Sequence, residues 1–341
     1  MRTGIAIDSA CDLPQSFLDA HHVHLLPILL CRGETRLPDQ RDPEATLAFY
    51  RQYQADKTLD ADTAPPTVAD IQARLLDELA LHYDRVLVIT ITQTRSPLFV
   101  HATEAAYAAL RQSREPAYHR RRVQAGLTGP LFVTVIDSQA LFTGQGVLVH
   151  EAIRLLETEQ RSFSVLRKVI AQLSPRVQGY LVPDDLFYVR HRSSRKGEKS
   201  IGLLGYHLGT LLDIKPLIHF HQGESQAIDK DRGFDRTLLK LFDRTRAAMA
   251  AGLATPLVNC SYAGDLDVIR RNPLFIALEN DAGRRGITVL LSMMSVTGAL
   301  NVGPGAFALS YIDGPPLALP TASEADEEAQ GHDPGAVDWV I

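Results

Sequence analysis

Four short segments gather hydroxyl-bearing, small and turn-forming residues where strands should end. The first, Asp8-Ser9-Ala10-Cys11-Asp12-Leu13-Pro14, follows an apolar run and places Asp8 and Ser9 at the carboxyl edge of a sheet, where open α/β folds bind ligands. The second, Asp62-Thr63-Ala64-Pro65-Pro66-Thr67, uses two prolines to stiffen a loop that can turn Thr63 outward. The third, Thr92-Gln93-Thr94-Arg95-Ser96-Pro97, puts Ser96 at a helix cap with Pro97 at the first helical position. A carboxylate held by Ser96 would there meet free N–H groups and the positive end of a helix dipole. The fourth, Asn301-Val302-Gly303-Pro304-Gly305-Ala306, forces a tight turn into a last strand. Each also admits a plainer reading: Asp8 and Ser9 satisfying loop amides, Thr63 in an ordinary helix-start loop, Ser96 as a simple cap, and Gly303 and Gly305 as a turn.

The chemistry these residues do not spell is as telling. Neither GxGxxG nor GxxxxGK[ST] occurs, so the usual backbone cradles for phosphate are missing. GxSxG, HExxH and the protein-kinase motif set are also absent, which removes the common hydrolase and metalloprotease signatures. His21-His22-Val23-His24 and His219-Phe220-His221 lack carboxylate or Cys partners at metal-ligand spacing and read as half-exposed histidines. No catalytic residue, metal ligand or cofactor is therefore assigned. Cys11, Cys31 and Cys260 are far apart with no CxxC pair, as suits a reducing compartment.

The net charge of -5 offers no long-range attraction to nucleic acid. The chain reaches Asp8 too soon for the apolar core of a signal peptide, and Asn301 and Gly303-Pro304-Gly305 interrupt the most apolar stretch, residues 287–309. The expectation is a cytoplasmic protein with no stable membrane insertion.

Apolar strand-like runs at 3–7, 23–30, 85–91 and 131–136 alternate with helical patterns at 14–21, 43–53, 67–82, 98–111 and 144–158. That alternation predicts an α/β fold: an N-terminal, Rossmann-like parallel sheet with helices on both faces. Asp12, Asp42 and Thr67 are the expected helix caps. From about residue 163 the pattern turns to a second, α+β domain. Its expected strands are 176–182, 212–219, 257–261, 288–292 and 306–312, its expected helices 164–172, 184–191, 234–251 and 265–272. A hairpin is expected through Gln222-Gly223. The expected division is 1–162, 163–316 and an acidic, disordered tail at 317–341. Residues 111–126, rich in arginine, read as a solvated loop or helix extension, with a docking patch as the alternative.

In this order, Asp8 to Pro14, Leu26-Pro27-Ile28, Thr63 to Thr67, Asp137-Ser138, Asp213-Ile214-Lys215-Pro216 and Gly303-Pro304-Gly305 resemble the DegV family of fatty-acid-binding proteins, over nearly the whole chain to about Ile312. The resemblance implies a non-catalytic carrier with one long-chain fatty acid in a tunnel between two domains. Its carboxylate would be held at Thr63 and Ser96, with Asn301 where the family usually has histidine, and Asp8, Ser9, Thr92, Gly303 and Gly305 supporting the loops. In several bacteria such proteins present the acid to a fatty acid kinase, and the basic stretch with Arg190, Arg192 and Arg195, in place of a Gly-Gly-Arg turn, is the candidate docking site. With no cation evident near the head group, burial should raise the acid's pKa. An acyl hydrolase or transferase using Ser96, or a phosphotransfer domain of related fold, remain the alternatives.

Overall fold

Two sheets share one buried helix. The computed structural model describes residues 1–55, 61–189 and 213–318. The first sheet is wholly parallel, in the order β2 (His24–Leu26), β1 (Thr3–Asp8), β6 (Arg85–Thr90), β7 (Phe132–Asp137). β1 and β6 are buried almost throughout, as strands covered on both faces must be. On one face lie α3 (Val68–Asp77) and α4 (Leu98–Ser113). Ala102, Ala105, Ala106 and Ala109 form a small-residue stripe at helical spacing that brings α4 close to Val86 and Val88.

The opposite face carries α6 (Thr143–Ile153) and α7 (Phe163–Leu173). Every α6 residue except His150 is buried, because its other side packs against a second sheet. That sheet is mixed, in the order β10 (Glu224–Arg232), β9 (Ile214–His221), β8 (Val177–Val182), β13 (Phe307–Ile312), β11 (Leu257–Tyr262), β12 (Thr288–Met293). Only β11 and β12 run parallel within it. A side chain at Gly146 would collide with Asn259 Nδ2 and Asp12 O, so glycine is what lets α6 come this near to β11. One apolar cluster runs from Ile5 and Ile7 through Val147 and Leu148 to Val177, Leu257 and Ile312. Beyond the second sheet, α8 (Phe234–Ala251) and, after the short α9 (Leu266–Arg270), α10 (Pro273–Arg284) pack through Phe242, Phe275 and Phe307, whose ring centroids lie 5.7 to 6.4 Å apart.

Several expectations are corrected in detail. The strand expected at 23–30 divides: β2 stops before Pro27, which lacks an N–H donor, and the chain restarts as β3 (Leu29–Arg32) in a small antiparallel sheet with β4 (Thr35–Pro38) and β5 (Asp62–Ala64). Residues 116–124 form α5 (Pro116–Gln124), and within it Arg122 is buried, donating to the carbonyls of Ala80, Tyr83 and Gly129, so it staples the helix rather than facing solvent. Asp12 does not cap α1 (Gln15–Ala20), whereas Asp42 caps α2 (Pro43–Ala55) through the Ala45 N–H, and Thr67 with Asp70 forms a capping box. The apolar stretch at 287–309 contains a helix, α11 (Val296–Val302), between β12 and β13, and α10 was not among the expected elements. Among the described residues no helix is long and apolar enough to cross a membrane.

Candidate functional site

A cavity of about 520 Å³ opens where the carboxyl edge of the first sheet, β5, the inner face of the second sheet and α11 meet. Its wall is mostly apolar, with Ile28, Ile91, Leu141, Phe142, Leu181 and Ile218 among the contributors. Into this greasy wall three distant segments bring Thr63, Ser96 and Asn301.

Ser96 owes its position to the loop that leaves β6. Helix α4 begins at Leu98, with Pro97 at its cap, one residue later than expected. Ser96 Oγ accepts the Leu98 N–H at 3.3 Å, so its own proton is left to donate outward. Among the described residues no histidine or carboxylate hydrogen-bonds to that hydroxyl, so nothing there activates it as a nucleophile. Thr63 stands on β5, opposite Leu30 of β3, between an Asp62 carboxylate that accepts its N–H at 2.6 Å and the stiff Pro65. Asn301 lies in the last turn of α11 and gives one Nδ2 proton to Thr297 O at 2.7 Å.

Asp8 and Ser9 support this wall from behind. Asp8 is completely buried; it accepts from Ile91 N (2.7 Å), Ala10 N (2.9 Å) and Gln145 Nε2 (3.1 Å), and thereby pins the β1 and β6 loops to α6. Burial pushes its carboxyl up to about 6 against the pull of those donors. Ser9 Oγ donates to Asp39 O and accepts from Ile28 N. Thr92 donates its N–H to Ala140 O and its hydroxyl lies 3.2 Å from that of Thr94. Gly303, at φ +90°, has the Tyr188 ring where a side chain would stand, and Gly305, at φ +80°, has Asp184 there. Both glycines shape the turn beneath the cavity. Arg190, Arg192 and Arg195 lie outside the described residues.

Three lining residues had no signal of their own in the sequence. Thr94 and Arg95 precede Ser96 in the same loop, and Arg95 lines a site expected to hold no cation. Thr297 lines the opposite side, giving both its N–H (2.8 Å) and its hydroxyl proton (2.7 Å) to Asp39. Behind it runs a buried network. Arg41 pairs with Asp12 at 3.1 Å and donates to Ser9 O and Leu13 O, while Asp12 accepts from Ser261 Oγ (2.7 Å) and Ser295 N (3.0 Å). Burial raises the Asp12 carboxyl pKa, with Arg41 and Ser261 opposing. This network joins the segment after β1 to β11 and to the start of α11. His219 and His221 stack with centroids 5.8 Å apart and engage Gln178; burial lowers the His219 pKa to about 4. Among the described residues no group of three or more His, Cys, Asp or Glu is placed to hold a metal ion.

The DegV family model, described as a family of uncharacterised proteins, matches residues 2–314. The chain is 40% identical over 311 residues to a DegV domain-containing protein of Xanthomonas axonopodis pv. citri, covering 91% of this chain and 97% of that one. It is 24% identical over 307 residues to a fatty acid-binding protein of Thermotoga maritima, covering 89% and 96%. Among solved structures, a DegV lipid-binding protein of Thermotoga maritima superposes with a TM-score of 0.73 at 20% identity, over 93% of this chain and all of that one. A stearic acid-binding protein of Eubacterium ventriosum gives 0.73 at 19% identity, over 91% and 98%.

Proposed function

Because this chain belongs to the DegV family, we propose that its cavity binds one long-chain fatty acid and performs no chemistry on it. The observation that carries the reading is the meeting of Thr63, Ser96 and Asn301, with Thr94, Arg95 and Thr297, in one mostly apolar lining. The acyl chain lies along the apolar wall, in a tunnel between the 1–162 and 163–316 portions, and the three polar side chains hold the carboxylate. Relatives named for fatty acid binding support the class of ligand. Affinity comes from the tail: each buried methylene contributes about 0.8 kcal/mol, so roughly fifteen supply on the order of 12 kcal/mol before association costs. The head group needs only enough donors to offset lost water, about 1 to 3 kcal/mol per unpaired group.

The protein acts in the cytoplasm as a carrier, offering the bound carboxylate to an acyl-using enzyme such as a fatty acid kinase. Organic extraction and mass spectrometry of natively purified protein is the test. Fatty acid near one per chain is expected; a lipid-free preparation that takes up no added fatty acid refutes the proposal. A hydrolase built on Ser96 is disfavoured because, among the described residues, no base hydrogen-bonds to its hydroxyl.

A further inference from the structure

We infer that Phe142 is a specificity-determining residue: a strained backbone holds its ring in the cavity wall, where the ring limits the length of acid the cavity accepts. This deepens the fatty-acid reading and rests on it. Phe142 stands between β7 and α6, at φ +49° and ψ −114°. Those angles belong to the first central position of a type II′ turn, which glycine dominates because a Cβ is crowded there. A bulky residue persists in such a conformation only where its surroundings fix it. The neighbours of Phe142 are tied down on both sides. Before it, Ala140 O accepts the Thr92 N–H at 3.1 Å. After it, Thr143 Oγ1 lies 2.7 Å from Ser310 Oγ, and Thr143 O accepts from Asn259 Nδ2 at 3.0 Å. Phe142 O itself accepts the Asp12 and Gly146 N–H groups at 3.2 and 3.3 Å. Glycine would meet the same ties without strain, yet the position carries a benzyl group.

The place of the ring gives the reason. Phe142 lines the cavity, is 5% exposed and meets Phe220, another lining residue, edge to face with ring centroids 6.5 Å apart. Helix α11 leaves room for it: a Cβ on Gly298 would stand 3.2 Å from the ring carbons Cδ1 and Cε1, and 2.9 Å from Met294 Cγ. Strain in one segment and a glycine in another thus converge on one flat, rigid side chain at the cavity. A wall acts on a flexible acyl chain by exclusion. Methylenes that the ring keeps out stay in water, and each one admitted is worth about fourfold in affinity. A ring that served packing alone would add to stability and leave the ranking of acids by length untouched.

The experiment measures affinity for straight-chain saturated acids of graded length, by displacement of a fluorescent fatty acid, in the native protein and in Phe142→Ala, Phe142→Leu and Phe142→Gly. Native affinity is expected to rise about fourfold per added methylene until the cavity is full, and then to stop rising. Phe142→Ala removes a body the size of benzene, for which about 150 Å³ suffices, so the length at which the rise stops moves up by about four carbons or more. Phe142→Leu moves it in the same direction by less. Thermal unfolding of the delipidated proteins reads the strain: Phe142→Gly unfolds at a higher temperature than Phe142→Ala, the reverse of the usual order, because only glycine relieves the backbone. A folded Phe142→Ala protein whose affinity stops rising at the native length overturns the inference, as does a Phe142→Gly protein that unfolds no higher than Phe142→Ala. If Phe142→Ala does not fold, Phe142→Leu decides by the same criterion. A native protein that takes up no acid of any length refutes fatty acid binding itself, a different failure from native and variant proteins that rank the acids alike.

Discussion

Replacing Val302 with phenylalanine tests whether the cavity measures acyl chain length. Val302 lines the cavity at the end of α11 and is 6% exposed. A dry pocket of about 150 Å³ accommodates benzene, so 520 Å³ corresponds to roughly twenty close-packed carbons, about one long-chain acid. Val302→Phe adds about four carbons to the wall and removes the space of about four methylenes. At about 0.8 kcal/mol each that costs about 3 kcal/mol, or about 200-fold in affinity, for any acid that fills the native cavity. An acid shorter by about four carbons needs none of the lost space and should bind as before. The assay is displacement of a fluorescent fatty acid by straight-chain acids of graded length, with thermal unfolding to show that the variant is folded. A folded Val302→Phe protein whose length preference matches the native one would refute the assignment of this cavity to the tail.

Three further outcomes follow from the geometry. Thr63→Val and Ser96→Ala should each weaken fatty acid binding by about 1 to 3 kcal/mol in equilibrium titration, because each removes a head-group donor. Asp12→Asn strips Arg41 of its buried charge partner and should destabilise by about 3 to 5 kcal/mol in denaturant unfolding. Asp8, raised to about 6 when folded, binds more protons in the native than in the unfolded state between about pH 4 and 6, so its contribution to stability is present below that window and lost as pH rises through it. Native protein should therefore lose about 2 kcal/mol more than Asp8→Asn between about pH 4 and 7, and equal slopes would contradict the burial argument.

The alternation of apolar strands and helical patterns is a local signal, and β1, β6, β7, α2, α4 and α8 are legible within a residue or two. Thr63, Ser96 and Asn301 could be singled out for another reason: each stands close to Pro or Gly residues that mark a special backbone, and the family resemblance ordered those segments. The place of Arg95 in the cavity lining was hidden within the 92–97 segment, because nothing in local sequence says which loop residues border a cavity. Thr297 and Asp39 meet across 258 residues, and their partnership has no local trace. Similarly, Arg122 reads as one arginine of a basic run, and only the convergence of three carbonyls on its guanidinium makes it a staple. The third sheet escaped because β3, β4 and β5 are three or four residues each, below the length at which period-two patterning can be recognised.

The placement of α6 limits how the chain can be dissected. A helix with apolar sides on two sheets belongs to neither half, and a fragment ending at residue 162 would carry it with the face that meets β8, β11 and β13 bare to water. Such a fragment should precipitate rather than behave as a module, and the intact chain should melt in one cooperative step. An occupant that tightens one wall of the cavity is accordingly felt by both sheets, since the layer between them is common property.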